Sequence, residues 1–156
     1  MKRVVFVQIG TDIFAIEIGH VAHLVSNVKI SGSRGKEGNP YLAGMIRVKG
    51  KVIPALDLCK WLGKKPMDFC EKTVFVVMRF GSKYVAFPID AAVKSCDVPD
   101  ECFYEIPDNL GLGNNRVFKE VIDWEGALYL KISAEVITKK LMENIKALAR
   151  QNGNDQ

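Results

Sequence analysis

The fold is decided by the stretch Met45-Ile46-Arg47-Val48-Lys49-Gly50-Lys51-Val52-Ile53-Pro54-Ala55-Leu56-Asp57-Leu58. Two runs rich in branched apolar residues, 45–49 and 52–58, flank the pair Gly50-Lys51. Branched side chains favour strands, and glycine tolerates the positive φ that a tight turn requires. Pro54 cannot donate a ladder hydrogen bond, so we expect it at a sheet edge or a bulge. The stretch therefore predicts a β-hairpin that turns at Gly50-Lys51.

Three more strand–turn–strand units surround this hairpin. Residues 4–9 lead through Gly10-Thr11-Asp12 into a run where Phe14, Ile16 and Ile18 alternate with other residues, the period-two pattern of a half-buried strand. Residues 74–80 and 84–89 flank Gly81-Ser82, and residues 117–123 and 127–132 flank Glu125-Gly126. A chain of hairpins of this kind predicts a mainly β fold.

One convincing helix is predicted, near the C-terminal end. Ser133 can cap its first turn, and one apolar stripe then follows at helical spacing, formed by Ile137, Leu141, Ile145 and Leu148. We expect a helix over residues 134–150 that packs across the strands, with a helix that binds a partner as the alternative. The tail 151–156 should be flexible, and the polar, glycine-rich segments 31–40 and 108–115 should be surface loops.

Composition indicates one globular domain with a packed core. The 156 residues are 48% hydrophobic and carry a net charge of +4, with basic and acidic residues mixed along the whole chain. A nucleic-acid-binding protein usually concentrates its positive charge on one face. No apolar run approaches the roughly 20 residues that cross a bilayer, and the apolar segment after Met1 is too short for a signal peptide. We therefore expect a cytoplasmic protein without membrane insertion.

Few residues are candidates for catalysis or for binding a metal or a cofactor. His20 and His23 are expected to continue a strand, where odd spacing directs them to opposite faces, so they do not form a metal pair. The four cysteines form no C-x-x-C pair, and the chain has no G-x-S-x-G motif. The G-x-G at residues 111–113 lacks the strand and helix of a phosphate-binding loop. We expect no enzymatic activity, no metal and no cofactor.

Taken in chain order, these segments resemble the CheW-like domain family of chemotaxis coupling proteins. Residues 5–18 and Val21 are similar to the family's opening F-x-L-G-x-x-x-Y-A-I-x-I-x-x-V. Residues 40–58 resemble its signature P-x-x-I-x-G-V-x-N-L-R-G-x-I-x-P-V-I-D-L-R. Residues 73–93 and 128–132 resemble the later strands, so the resemblance covers residues 4 to 140.

This resemblance implies a fold and a division of the chain. The family fold is two small five-stranded, SH3-like barrels packed together and related by pseudo-symmetry, with a C-terminal α-helix. We expect a single CheW-like domain over residues 1–150, with a first barrel at approximately 1–60, a second at approximately 70–132 and the helix at 134–150.

The resemblance also implies two protein partners. Family adaptors bind the cytoplasmic tip of a chemoreceptor along a groove between the barrels. They bind the regulatory domain of a chemotaxis histidine kinase through loops at the barrel ends. The expected function is therefore a non-catalytic signalling adaptor, at receptor arrays beneath the inner membrane.

The residues expected in the receptor groove are Val21, His23, Arg47, Lys49 and Asp57. By strand alternation, Val21 and His23 should both point away from the face of Phe14 and Ile16, if no bulge intervenes at Gly19. An outward apolar residue such as Val21 either contacts the receptor or packs beside the core.

Three positions depart from the family pattern. Lys49 stands where the family has arginine, which keeps the charge and loses the planar bidentate fork. Cys59 stands in place of a second arginine, and His23 in place of a glutamate. These departures affect receptor recognition most.

A nucleic-acid-binding β-barrel is the alternative function. The sequence pI of about 8.9 and the aromatic residues Phe14, Tyr84 and Trp124 favour it. Against it, these aromatics occupy strand positions typical of a core and are not interleaved with basic residues. Loss of binding at raised salt would separate the two functions.

Overall fold

Two six-stranded sheets dominate the residues that this computed structural model describes, namely 1–31, 42–63, 65, 70–107, 118–139 and 141. The strands are β1 (Lys2–Ile9), β2 (Asp12–Glu17), β3 (Val21–Val25), β4 (Ile30–Ser31), β5 (Leu42–Val48), β6 (Lys51–Leu56), β7 (Val74–Phe80), β8 (Lys83–Ile89), β9 (Ala91–Val98), β10 (Phe103–Glu105), β11 (Phe118–Trp124) and β12 (Ala127–Ile132). Helix α1 is Leu58–Trp61, helix α2 comprises 134–139 and 141, and single 3₁₀ turns lie at Ile18–His20 and Asp100–Cys102.

The two sheets have the same internal order. The first sheet runs β10-β11-β12-β2-β1-β9, and the second runs β4-β5-β6-β8-β7-β3. Each contains one parallel contact between two antiparallel hairpins, at Lys131 and Ala15 in the first sheet and at Ala55 and Ala86 in the second. The predicted mainly β architecture is confirmed.

The matching orders reveal an internal repeat, in which β1–β6 correspond to β7–β12. The hairpin β1–β2 lies in the sheet that contains β9–β12, whereas the hairpin β7–β8 lies with β3–β6. The repeat extends to local geometry. Lys49 and Gly50 have φ of 50° and 79°, and Glu125 and Gly126 have φ of 48° and 82°. The two halves of the chain have therefore exchanged their first hairpins.

Because of this exchange each sheet draws strands from both halves of the repeat, and the division of the chain expected from the sequence stays a prediction. Barrels at approximately 1–60 and 70–132 would each use one continuous segment. In the structure, the first sheet takes β1, β2 and β9–β12, and the second takes β3–β8. Two six-stranded sheets are consistent with the expected pair of small SH3-like barrels. β1 and β7 are central strands, and each pairs on one side with its own hairpin partner and on the other side with a strand of the other half of the repeat, β9 or β3.

Among the residues that the structure describes, three apolar clusters form the core. The largest lies between the sheets and includes Val5 and Val7 of β1 with Val76 and Met78 of β7. The second cluster lies inside the second sheet, and the third lies inside the first sheet, where Val4 and Phe6 belong. Alternate residues of β1 thus enter different cores. Because both faces of the strand are buried, its sequence reads as an unbroken apolar run.

The turns and helix caps follow the local sequence, with one shift. The β5–β6 turn lies at Lys49-Gly50 instead of Gly50-Lys51, because both Lys49 and Gly50 adopt the positive φ of a two-residue hairpin loop. Pro54 is buried inside β6, opposite Met45, one residue from the irregularity in the β5–β6 ladder.

Helix α2 begins as the sequence predicts. The Ser133 hydroxyl accepts a hydrogen bond from the Val136 amide at 3.3 Å, and Ile137 and Leu141 are fully buried. The remainder of the predicted helix and the tail lie outside the described residues, as do most of the two predicted surface loops.

Gly44 supplies a direct test of this packing. Its φ is +150°, and a Cβ built there would lie 2.7 Å from the Ser31 carbonyl oxygen and 2.9 Å from Ile30 Cγ1. Gly44→Ala must displace backbone of the neighbouring β4, so we expect it to lower the free energy of unfolding by about 2–4 kcal/mol. Urea denaturation measures this change. The matched control is Gly19→Ala, where no atom lies within 4 Å of the added Cβ, and equal losses for both variants would contradict the assigned packing.

Candidate functional site

The residues predicted for the receptor groove lie in three separate places. Val21 and His23 are on β3, an edge strand of the second sheet. Arg47 and Lys49 lie at the turn end of the β5–β6 hairpin, and both are exposed. Asp57 begins helix α1. Three strands separate β3 from β5 in the sheet, so the five residues do not line one continuous strand surface.

The expected orientation is wrong for Val21, whereas His23 points away from the face of Phe14 as expected. Val21 pairs with Met78 and packs against the core between the sheets, the same core that contains Phe14. His23 pairs with Val77, which belongs to the core inside the second sheet. The alternation fails because the 3₁₀ turn Ile18–His20 interrupts the strand and the β3–β7 register shifts between Val21 and His23.

Asp57 has a structural position. Its carboxylate accepts a hydrogen bond from the Lys60 amide at 3.2 Å and caps α1, and the residue is only 3% exposed. A buried N-cap stabilises a helix start, typically by about 1 kcal/mol. The side chain is therefore almost inaccessible to solvent in this structure, and its expected place in the receptor groove stays a prediction.

An apolar surface at the β3 edge is better placed to bind a partner. Leu24 pairs with Val76, so it lies on the face of the core between the sheets, and it is 51% exposed. Ile18 and Val21 are half-buried against the same core. We call Ile18, Val21 and Leu24 the β3 edge surface. Strand alternation does not predict that Leu24 lies on this surface. The three-residue spacing of Ile18, Val21 and Leu24 is the sequence signal that indicates it.

A second apolar surface lies where β2 meets β12. It is a groove of about 540 Å³, lined by Thr11, Asp12, Ile13, Phe14, Leu62, Phe118, Leu128, Tyr129 and Leu130. Phe14 and Phe118 stack at its base with ring centroids 5.5 Å apart. Leu128 at its rim is 71% exposed. We call this the β2–β12 groove, and large exposed apolar residues gathered in this way indicate an interaction site.

A half-buried ionic cluster lies next to the parallel contact between β2 and β12 in the first sheet. Lys131 Nζ lies 2.6 Å from Glu17 Oε1 and 3.2 Å from Glu120 Oε1, and Lys2 Nζ lies 3.6 Å from Glu17 Oε1. Burial raises the pKa of Glu17, but the Lys131 hydrogen bond and the charges of Lys131, Lys2 and His20 outweigh it, so the pKa lies below 4.5. This cluster joins β2 to β12.

The side chains that could react or bind a metal lie apart from one another in the described part of the chain. All four cysteines are free thiols, and burial together with nearby carboxylates raises the pKa of Cys59. Hydrogen bonds from Lys72 and Thr73 lower the pKa of the exposed Cys70. Within the described ranges, no three His, Cys, Asp or Glu side chains converge as metal ligands.

No helix in the described part of the chain is long and apolar enough to cross a membrane.

The aromatic residues that favoured the nucleic-acid alternative are engaged inside the protein. Phe14 is 5% exposed and stacks on Phe118. Trp124 packs against the core of the first sheet. Tyr84 is half-buried beneath Lys51, whose Nζ lies 4.5 Å from the ring centroid. They do not form an open platform on which bases could stack.

Comparison with known families gives a match that spans most of the chain. Residues 3–141 match the family described as the CheW-like domain. The chain belongs to the CheW-like domain family.

Relatives agree with this assignment. A probable chemotaxis protein CheW from Rhizobium etli is 28% identical over 104 residues, covering 62% of this chain and 67% of that protein. The chemotaxis protein CheW of Bacillus subtilis is 23% identical over 139 residues, covering 89% and 87%. The solved CheW scaffolding protein of Thermoanaerobacter tengcongensis shares the fold with a TM-score of 0.71 and 17% identity, covering 85% and 88%.

The ionic cluster of this CheW-like domain predicts a pH-dependent stability. Because the folded pKa of Glu17 is lowered, its contribution is complete above the unfolded value near 4.5 and disappears as the pH falls through the folded value. We expect Glu17→Gln to lower the free energy of unfolding by about 1–2 kcal/mol at pH 7. Urea denaturation from pH 7 to pH 3 should show the difference from wild type shrinking. A difference that stays constant over this range would contradict the assigned ion pair.

Proposed function

We propose that this chain is a non-catalytic adaptor that couples the cytoplasmic tip of a chemoreceptor to the regulatory domain of a CheA-type chemotaxis histidine kinase. Membership of the CheW-like family supports the proposal, as do relatives named as chemotaxis proteins and a structural neighbour named as a scaffolding protein. The observation that carries it is Leu24, an apolar side chain that extends the core between the sheets into solvent.

The receptor tip binds at the β3 edge surface. Family resemblance implies a helical coiled coil as this partner, and a helix presents apolar residues at spacings of three and four. Ile18, Val21 and Leu24 lie along the rim of the shared core, where the apolar face of such a helix packs. Val21 is half-buried, so Val21→Arg should weaken receptor binding but would also disturb the core. Leu24 is the cleaner position for substitution.

The kinase regulatory domain binds at the β2–β12 groove. Family resemblance implies that this domain shares the same fold and docks through barrel ends. The groove combines the β1–β2 turn residues Thr11 and Asp12 with the exposed side chains of Ile13, Leu128 and Leu130. It gives the chain a second apolar surface formed by different residues from the first.

Coupling in this account is a difference in binding free energy between signalling states. A receptor that changes its fit at the β3 edge surface biases the kinase through the shared core. Coupling between two such sites is typically about 1–3 kcal/mol, and each interface can be smaller than ~1,200 Å². The chain then acts in the cytoplasm, at receptor arrays on the inner face of the membrane, and its work requires no catalytic residue.

Reciprocal substitutions at the two surfaces test this assignment. We expect Leu24→Arg to weaken binding of a receptor-tip coiled coil at least tenfold, because a charge replaces a desolvated apolar contact. The same variant should bind the kinase regulatory domain as wild type does. Leu128→Arg should show the opposite pattern. Titration calorimetry measures both affinities, and each variant is the control for the other.

Two results would contradict the proposal. One is wild-type protein that binds neither partner at concentrations up to about 1 mM, which corresponds to only about 4 kcal/mol of binding free energy. The other is a pair of variants that lose both affinities together while their thermal unfolding is unchanged, since the two surfaces would then not be separate.

A further inference from the structure

One residue in the connection between the two sheets holds the turn that joins β1 to β2. Asp90 is the single residue between β8, in the second sheet, and β9, in the first. Its carboxylate Oδ2 accepts a hydrogen bond from the Gly10 amide at 2.5 Å, and its own amide donates to the Gln8 carbonyl oxygen at 2.8 Å. Asp90 therefore contacts the end of the β1 strand through both its side chain and its backbone.

The same turn is fixed on the other side of Gly10. The Gln8 side-chain Nε2 donates a hydrogen bond to the Gly10 carbonyl oxygen at 3.0 Å. Because Gly10 has a positive φ of 65°, the two peptide groups that flank this left-handed residue are each bound by a side chain. Thr11 and Asp12 follow directly and line the β2–β12 groove. The position of one wall of the groove therefore depends on these two contacts.

The internal repeat contains the same turn in the β7–β8 hairpin. Gly81 has φ of 63° there, nearly the value of Gly10. Arg79 Nε donates a hydrogen bond to the Gly81 carbonyl oxygen at 2.9 Å, as Gln8 does to Gly10. Arg79 and Gln8 both stand two residues before the turn glycine. The contact to the carbonyl oxygen is thus common to both halves of the repeat.

The carboxylate contact is not repeated. Asp90 stands two residues before Ala92, which pairs with β1 at the position where Val21 pairs with β7. The residue two positions before Val21 is Gly19. Because glycine has no side chain, the second half has no carboxylate at the corresponding position. The Asp90 contact therefore belongs only to the turn that borders the β2–β12 groove.

We propose that Asp90 is a positioning residue for the β2–β12 groove, where it holds the β1–β2 turn in the conformation that the kinase regulatory domain binds. This inference rests on the proposed function, because the groove is the proposed kinase surface. A turn that is already held in its bound conformation loses less conformational entropy when a partner binds. Without the carboxylate, the Gly10 amide loses its acceptor, and binding must order the wall formed by Thr11 and Asp12.

Removal of the acceptor tests this role with a matched control. We expect Asp90→Ala to weaken binding of the kinase regulatory domain about fivefold to tenfold by titration calorimetry, and to change receptor-tip affinity less than about twofold. Asp90→Asn keeps an oxygen that can accept from the Gly10 amide, so it should recover most of the kinase affinity. The control is Asp97→Ala, which removes the same charge from an exposed residue of β9 that pairs with Arg3. It should change either affinity less than about twofold.

Two further measurements make the test specific. Gln8→Ala removes the other contact to the same turn, so it should weaken kinase binding about threefold and leave receptor binding unchanged. This variant tests the role independently if Asp90→Ala lowers the thermal midpoint. Amide hydrogen exchange measures the contact itself, because the Gly10 amide should exchange faster in Asp90→Ala while the Gly81 amide keeps its wild-type rate.

The outcomes separate this inference from the proposed function. If wild type binds the kinase regulatory domain, and neither Asp90→Ala nor Gln8→Ala binds it more weakly than Asp97→Ala does, the positioning role is wrong and the adaptor function stands. Equal losses of kinase and receptor affinity at an unchanged thermal midpoint would also overturn the inference, because Asp90 would then not act on the groove. Wild type that binds no kinase regulatory domain overturns both.

Discussion

The apolar core between the two sheets is the constraint on which the rest of the structure depends. Its central members, Val5 and Val7 on β1 and Val76 and Met78 on β7, come from hairpins that the two halves of the chain have exchanged. Burial of a side chain of this size contributes about 1.5–3 kcal/mol. Neither half can unfold its sheet without removing strands from the other. The two halves of the chain are therefore held together by main-chain pairing within each sheet as well as by apolar contact between the sheets, which suits the proposed adaptor.

Local sequence was sufficient for those elements that depend on neighbouring residues. The four hairpins, the glycine-containing turns and the Ser133 cap all follow from short-range chemistry. The exchange of hairpins could not be inferred in this way, because it is decided by which distant strand each edge meets. Val21 and His23 illustrate the same limit. A 3₁₀ turn and one register shift separate their faces, and alternation cannot anticipate either. Asp57 shows the opposite case, where a conspicuous charged residue serves a helix cap.

The two sheets differ more in the charge of their side chains than in the path of their backbone. At the parallel contact of the first sheet, Glu17 and Lys131 form an ion pair, and the corresponding residues of the second sheet are Pro88 and Ala55. At the open ends the difference has the same sense, because Lys94 and Glu125 pair in the first sheet, where the second sheet has His23 and Lys49 at the corresponding positions. A repeated backbone thus carries two different surfaces. The first sheet carries an ion pair at both places, whereas the exposed residues at the corresponding hairpin end of the second sheet are Arg47, Lys49 and Lys51.

The central claim is that one chain holds two partners at once on separate surfaces. Sedimentation of the chain with both a receptor-tip coiled coil and a kinase regulatory domain tests this most directly. The account predicts a ternary species, with receptor affinity changed by no more than the roughly 5- to 150-fold of typical coupling when the kinase domain is saturating. Displacement of one partner by the other, with no ternary species at any ratio, would contradict it.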